Sequence, residues 1–226
     1  MQTNIKFFES RLGLLLQISI VFLPPVFLLK NVYLLLGMFI SVLLVWAMLH
    51  LQNKTWRDVG FRKPEHFGRL LFITLIATAI LFPVSHMVID TVKTLTGTVP
   101  DLGAFEVLRG NIAALVGGLV IAWIFGAFIE EFLFRGFLLN TLYKVLATED
   151  CPQWFTWSVA VFITSVVVGI GHSYQGIVGM IGTGFIAIGF SVIYLLNRRN
   201  LWSCILAHGF YDTAAFILVY AEVSVG

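Results

Sequence analysis

A chain of 226 residues that is 59% hydrophobic and only 12% charged, with a mean hydropathy of +0.94, cannot cover its apolar surface with polar side chains in water. That excludes a soluble domain and points to a polytopic all-α membrane protein, for which lipid is the solvent. A formal net charge of +2 is too small to suggest a nucleic-acid partner, so the distribution of charge among the loops carries more information than its sum.

Apolar runs of spanning length fall at 12–29, 32–51, 69–89, 110–143, 155–172, 176–196 and 201–221, predicting a bundle of about seven transmembrane helices in a single domain over 1–226. The first run follows Lys6 and Arg11 as a signal peptide would. It is long, contains Pro24 and Pro25 and lacks a small-residue cleavage site, so it reads as an uncleaved, proline-kinked span. No internal repeat, low-complexity tract or soluble domain separates the runs. Cys204 lies in an apolar run and Cys151 in a polar connection, and their spacing suggests neither a disulfide nor a cysteine metal cluster.

Lysine and arginine set the expected orientation. With the amino terminus in the cytoplasm, Lys6, Arg11, Lys54, Arg57, Arg62, Lys63, Arg69, Lys144, Arg198 and Arg199 lie inside, against Lys30, Lys93 and Arg109 outside. Trp56, Trp154, Trp157 and Trp202 then fall at the inner boundary, as an aromatic belt would. The basic connection from Lys54 to Arg69 is first a topology signal and secondarily a surface for anionic lipid.

The fourth run holds the most informative feature, Glu130, Glu131 and Arg135 within FGAFIEEFLFRGFLL. Ionised side chains at a membrane-helix centre cost roughly 2.5 to 3.5 kcal/mol each, so a chain that keeps three there requires them. Matching anomalies appear in two further runs: His172 ends the fifth, and His208 with Asp212 sits inside the seventh. Counting inward at about 1.5 Å per residue from Arg199, Lys144 and Trp157 puts His208, Glu130 and His172 at depths of roughly 13, 21 and 22 Å. The three helices are therefore expected to meet.

On a helix, Glu131 and Arg135 are spaced i,i+4 and form an ion pair that offsets the cost of burying either. Glu130 points elsewhere and is left free to accept a proton from water. His208 and Asp212, also i,i+4, can hydrogen-bond each other, a substrate carbonyl or an oxyanion, and His172 can orient the water. Together these supply a base, a water-positioning group and an electrophilic stabiliser, a set sufficient to hydrolyse an acyl bond. The bland readings are an ion pair that locks the bundle, a packing histidine at His172 and an interhelical clamp at His208 with Asp212. The glycines at 176, 179, 182, 184 and 189 serve helix packing and form no phosphate loop. His50, His66 and His86 lack partners at useful spacing.

E-E-x-x-x-R in an apolar helix, an isolated histidine ending the next and H-x-x-x-N/D in the last resemble the CAAX-protease and bacteriocin-processing family of glutamate-type intramembrane endopeptidases. RDVGFRKPEH ahead of the third run is similar to a segment common in that family, and the resemblance extends from about Arg57 to Phe216. It implies that Glu130 activates water with His172, that His208 and Asp212 stabilise the oxyanion, and that Glu131 and Arg135 are needed for activity and shape the site. No cofactor is implied. The expected partners are a peptide or protein substrate reached from the membrane or the cytoplasm and the lipid bilayer itself, with no nucleic acid. The expected location is a bacterial cytoplasmic membrane.

Two positions depart from the family pattern. Val168 stands where a phenylalanine usually precedes the histidine, and Asp212 replaces the commoner asparagine. An ionised Asp212 cannot donate to an oxyanion, so it is protonated, holds His208 as an imidazolium, or binds a cation. The last option keeps open a zinc-dependent protease with His172, His208 and Asp212 or Glu130 as ligands, although no H-E-x-x-H helix is present. Non-enzymatic alternatives are a proton-coupled transporter, against which the halves show no matching interrupted helices, and a bacteriocin-immunity or scaffold protein.

Overall fold

A computed structural model of the chain describes residues 7–28 and 33–221. Lys6 and Lys30, both used in the orientation argument, lie outside the described residues. The elements are helices α1 (Arg11–Leu28), α2 (Leu34–Leu51), α3 (Phe67–Thr96), α4 (Ile112–Leu146), α5 (Gln153–Gly171), α6 (Gly176–Leu196) and α7 (Leu201–Ala221), with short 3₁₀ turns at Trp56–Val59, Gly103–Leu108 and Ser173–Gln175. The described residues contain no strand. Six of the helices, α2 to α7, are long and apolar enough to cross a membrane, and α1 is a shorter apolar helix over Arg11–Phe27. The polytopic helical bundle is therefore as the composition requires. Among the helices, α3 runs further than its apolar run indicates, reaching Thr96 past Asp90 and Lys93, because those two side chains pair with each other at 3.0 Å on its exposed last turns.

The connections collect at two ends. At one, Arg11 donates to the Ala147 carbonyl, Leu201 N–H donates to the Gly60 carbonyl at 2.8 Å, Asn200 donates to the Arg62 carbonyl, and the Arg199 guanidinium lies 5.6 Å from the Trp157 ring centre. At the other, Asp101 N–H donates to the Gln175 carbonyl at 3.0 Å, Gly110 N–H donates to the Tyr220 carbonyl, and Phe105 packs on Phe216. Helices that alternate between two such ends form an up-and-down bundle, with basic loops gathered at the first.

RDVGFRKPEH is built into that basic end. Gly60 has φ +100°, a conformation L side chains rarely adopt, and an added Cβ would lie 2.9 Å from the Arg199 carbonyl oxygen and 3.1 Å from the Tyr194 hydroxyl. Its neighbour Phe61 enters an aromatic cluster with Trp56, Phe128, Phe132 and Trp202. Asp58 accepts from the Thr55 N–H and hydroxyl, at 2.7 and 2.9 Å. The backbone bond first, then the hydroxyl and nearby Lys54, hold its carboxyl below the usual aspartate range. The segment thus seats α4 and α7 at their basic ends, where Gly136 of α4 would bring a Cβ to 3.0 Å from the Val59 carbonyl oxygen.

Helices α5 and α6 form a tight hairpin. A Cβ on Gly169 would fall 2.6 Å from the Met180 carbonyl oxygen, and one on Gly184 would fall 3.3 Å from that of Ser165. Only glycine lets the two backbones approach so closely.

Candidate active site

The middle of α4 is wound more widely than an α-helix. Residues Ala122–Glu130 and Phe132–Leu139 are π-helical, with Glu131 between them. Winding with i→i+5 hydrogen bonds is rare and concentrates at functional sites. Here it spans the acidic pair and the arginine, and turns their faces relative to one another less per residue than the 3.6-residue repeat assumed from sequence.

Glu131 and Arg135 are paired as their spacing predicts, with Arg135 Nη1 donating to Glu131 Oε1 at 2.8 Å. Both are buried, at 0% and 1% exposure. The same Glu131 oxygen also takes His208 Nδ1 at 2.8 Å, and Arg135 Nη2 donates to the Ala187 carbonyl at 2.8 Å. Phe190 closes the group, stacked 4.8 Å from the His208 ring and 5.6 Å from the Arg135 guanidinium. A carboxylate, a guanidinium and an imidazole from α4 and α7 are therefore fixed to one another and, through Ala187 and Phe190, to α6.

His208 has a carboxylate at each nitrogen. Its Nε2 lies 3.4 Å from Asp212 Oδ2, a longer approach than that of Nδ1 to Glu131. Both carboxylates are satisfied together only when both ring nitrogens carry protons. Gly126, one turn before Glu130 on α4, faces this pair: a Cβ there would be 3.1 Å from Asp212 Oδ2 and 3.6 Å from His208 Nε2.

Glu130 is partly buried, and its carboxylate interacts electrostatically with His172, His208 and Asp212. No side-chain hydrogen bond to Glu130 occurs among the described residues, in contrast to Glu131. His172 follows directly on α5, its Nδ1 donating to the Val168 carbonyl at 2.9 Å. That bond fixes the tautomer and leaves Nε2 available as an acceptor. The Val168 side chain itself fills a buried position. The convergence of α4, α5 and α7 expected from depth counting is thus present, and all six residues singled out from the sequence lie in one neighbourhood.

Three contributors were not singled out from the sequence. Tyr174 on the Ser173–Gln175 turn lies 5.8 Å from His172, ring to ring, and interacts electrostatically with Glu130 and Asp212. Its oxygen accepts from Gln175 Nε2 at 3.0 Å, which leaves its own O–H to be donated elsewhere. Gly126 could have been found as the i−4 neighbour of Glu130, whereas nothing marks the Ala187 carbonyl. Gly169 and Gly171 would loosen an isolated helix end, but α5 continues to Gly171, and Gly169 is there for contact with α6.

Among the described residues no group of three or more His, Cys, Asp and Glu is arranged to hold a metal ion. His208, required in every zinc set considered, has both nitrogens directed at carboxylates of the protein.

The family model described as type II CAAX prenyl endopeptidase Rce1-like matches residues 111–214. No curated protein and no solved structure matches the chain. The matched stretch runs from the residue that caps α4, Asn111, through the Glu130, His172 and His208 neighbourhood to just past Asp212. Over this stretch the chain is similar to the Rce1-like CAAX endopeptidases, a match that supports the resemblance carried by Glu130, Glu131, Arg135, His172, His208 and Asp212.

Proposed function

We propose that this membrane endopeptidase hydrolyses its peptide bond with a water activated by Glu130. One observation carries the reading: of two adjacent carboxylates, Glu131 is engaged through Oε1 by both Arg135 and His208, while Glu130 has no hydrogen-bonded cation among the described residues and interacts electrostatically with His172. Glu130 takes a proton from water that His172 Nε2 helps to orient, and the resulting hydroxide attacks the scissile carbonyl. The oxygen of the tetrahedral intermediate is met by the His208 Nε2–H, whose 3.4 Å approach to Asp212 leaves it loosely held. Glu130 then returns its proton to the departing amine. Asp212 keeps His208 charged, which suits an aspartate where asparagine would have donated directly.

The proposed steps use protein groups and water alone, a reading supported by His208, whose two ring nitrogens face Glu131 and Asp212. We read the protein as residing in a bacterial cytoplasmic membrane with its amino terminus inside; the basic loops gathered at one end of the bundle support that orientation.

Glu130→Gln tests the mechanism. The variant keeps size and polarity and breaks no hydrogen bond, so it should accumulate in the membrane with an unchanged thermal midpoint and show no peptide hydrolysis. Full activity in that variant would refute a glutamate-activated water.

A further inference from the structure

We propose that the Tyr174 hydroxyl is the second hydrogen-bond donor to the oxyanion, supplying the donation that Asp212 cannot make. The proposal rests on the water mechanism given above and adds a catalytic residue to it.

The need for a second donor is set at Asp212. An oxyanion is stabilised by donors fixed in advance around the position its charge will occupy, and an ionised carboxylate has none to offer. His208 Nε2–H supplies one donor. Asp212 Oδ2 lies 3.4 Å from that same nitrogen, so the developing negative oxygen forms beside a negative side chain and is repelled by it. A neutral donor reaching the same oxygen offsets that repulsion. The other donors nearby are committed. Arg135 gives Nη1 to Glu131 and Nη2 to the Ala187 carbonyl, Trp123 Nε1 donates to Thr213 Oγ1 and Thr213 in turn to the Gly209 carbonyl, and the Tyr211 hydroxyl is paired with that of Ser85 at 2.7 Å.

Tyr174 has the proton these groups have already spent. Its hydroxyl oxygen accepts from Gln175 Nε2 at 3.0 Å, and its O–H donates to no group among the described residues. Its ring lies 5.8 Å from that of His172, and it interacts electrostatically with both Glu130 and Asp212. Tyr174 is thus within reach of groups on α4, α5 and α7, the three helices that converge on the site. Gln175 is its positioning residue. The Gln175 N–H donates to the His172 carbonyl at 2.9 Å, its carbonyl accepts from the Asp101 N–H at 3.0 Å, and its side chain lies over Gly179, where any Cβ would collide with it. The phenol is therefore held in place before substrate arrives, as electrostatic stabilisation requires. As the water oxygen bonds to the carbonyl carbon and Glu130 takes the proton, the C=O electron pair moves onto the oxygen held by His208 Nε2–H and Tyr174 O–H. Neither donor gives up its proton. On collapse the C–N bond breaks and the amine leaves with the proton from Glu130.

Tyr174→Phe removes one oxygen and leaves the ring contact with His172 in place, so the variant should fold as the parent does. It should lower kcat by about 10²-fold, the loss typical of a single oxyanion donor, while KM stays within about 2-fold. Asp212→Asn introduces an amide donor beside the same nitrogen, so in that background the same change should cost less than about 10-fold. A packing role for Tyr174 would give equal losses in the two backgrounds. A peptide with a phosphinic group in place of the scissile amide reads the donor without turnover, and Tyr174→Phe should weaken its binding by at least about 10-fold. A kcat within about 2-fold of the parent, equal losses in the two backgrounds, or unchanged binding of the phosphinic peptide would each overturn the proposal. Glu130→Gln is assayed beside these variants. Full activity there with an impaired Tyr174→Phe would refute the glutamate-activated water and leave the oxyanion donor standing, whereas the reverse pattern would overturn the donor alone.

Discussion

At Asp212 the chain puts a carboxylate where an oxyanion site wants a donor, and the resolution lies in which partner His208 keeps. With Nδ1 committed to Glu131 at 2.8 Å and Nε2 only 3.4 Å from Asp212, the weaker contact is the one that a substrate oxygen can replace. Asp212→Asn would then supply a donor beside the same nitrogen and should retain turnover, with KM changed less than the acid limb of the pH–rate profile. Chelators should leave both proteins active, and elemental analysis of active enzyme should find zinc well below one equivalent. Stoichiometric zinc lost and regained together with activity would instead show that substrate-free geometry conceals a metal site. The i,i+4 spacings made both pairs on single helices readable in advance. The Glu131–His208 contact, between residues 77 positions apart, was readable only as a shared depth, because no local pattern specifies which of two adjacent carboxylates a distant histidine will choose.

Helix boundaries were legible because lipid imposes them: a span must be apolar for about 20 residues and every backbone polar group must be satisfied within it. The π-helical winding of α4 left no such mark. FGAFIEEFLFRGFLL is equally apolar under either winding, and the choice between i→i+4 and i→i+5 bonds follows from packing against α2, α5 and α7. Glycines show the same limit, since their spacing predicted close packing on α6 but not which of those before His172 take part. Gly169 and Gly171 separate the two cases. Gly169→Ala forces a Cβ to 2.6 Å from a backbone oxygen, which the hairpin can relieve only by parting α5 from α6, at a cost of roughly 1–3 kcal/mol for an overpacked contact. Because His172 hangs from the end of α5, turnover should fall more steeply than stability. Gly171→Ala meets nothing within 4 Å and should alter the thermal midpoint by no more than an ordinary surface change, within about ±0.5 kcal/mol. Equal behaviour of the two variants in thermal unfolding would show that the close approach of α5 and α6 is not sustained.

Across the whole molecule, adjacent glutamates divide stability from chemistry. Arg135, Glu131 and His208 join α4 to α7, and the Arg135 bond to the Ala187 carbonyl adds α6. These are helices whose remaining contacts are largely apolar, and apolar contacts between helices gain little over contact with lipid. The polar cluster is therefore the specific element that holds this part of the bundle in register. Removing one member leaves the others buried with uncompensated charge. Glu131→Gln and Arg135→Ala should each cost about 3–5 kcal/mol, the loss typical of breaking a buried ion pair from one side. Both should broaden the cooperative unfolding transition. Arg135→Lys restores the charge but cannot reach Glu131 and the Ala187 carbonyl with one planar fork, so it should recover stability only in part and activity hardly at all. Glu130→Gln, one residue away, should do the reverse, with full stability and no turnover. Thermal unfolding of the four variants in one detergent decides the matter: if Glu131→Gln is as stable as Glu130→Gln, the buried cluster is not what holds α4, α6 and α7 together, and both carboxylates must be assigned to the reaction.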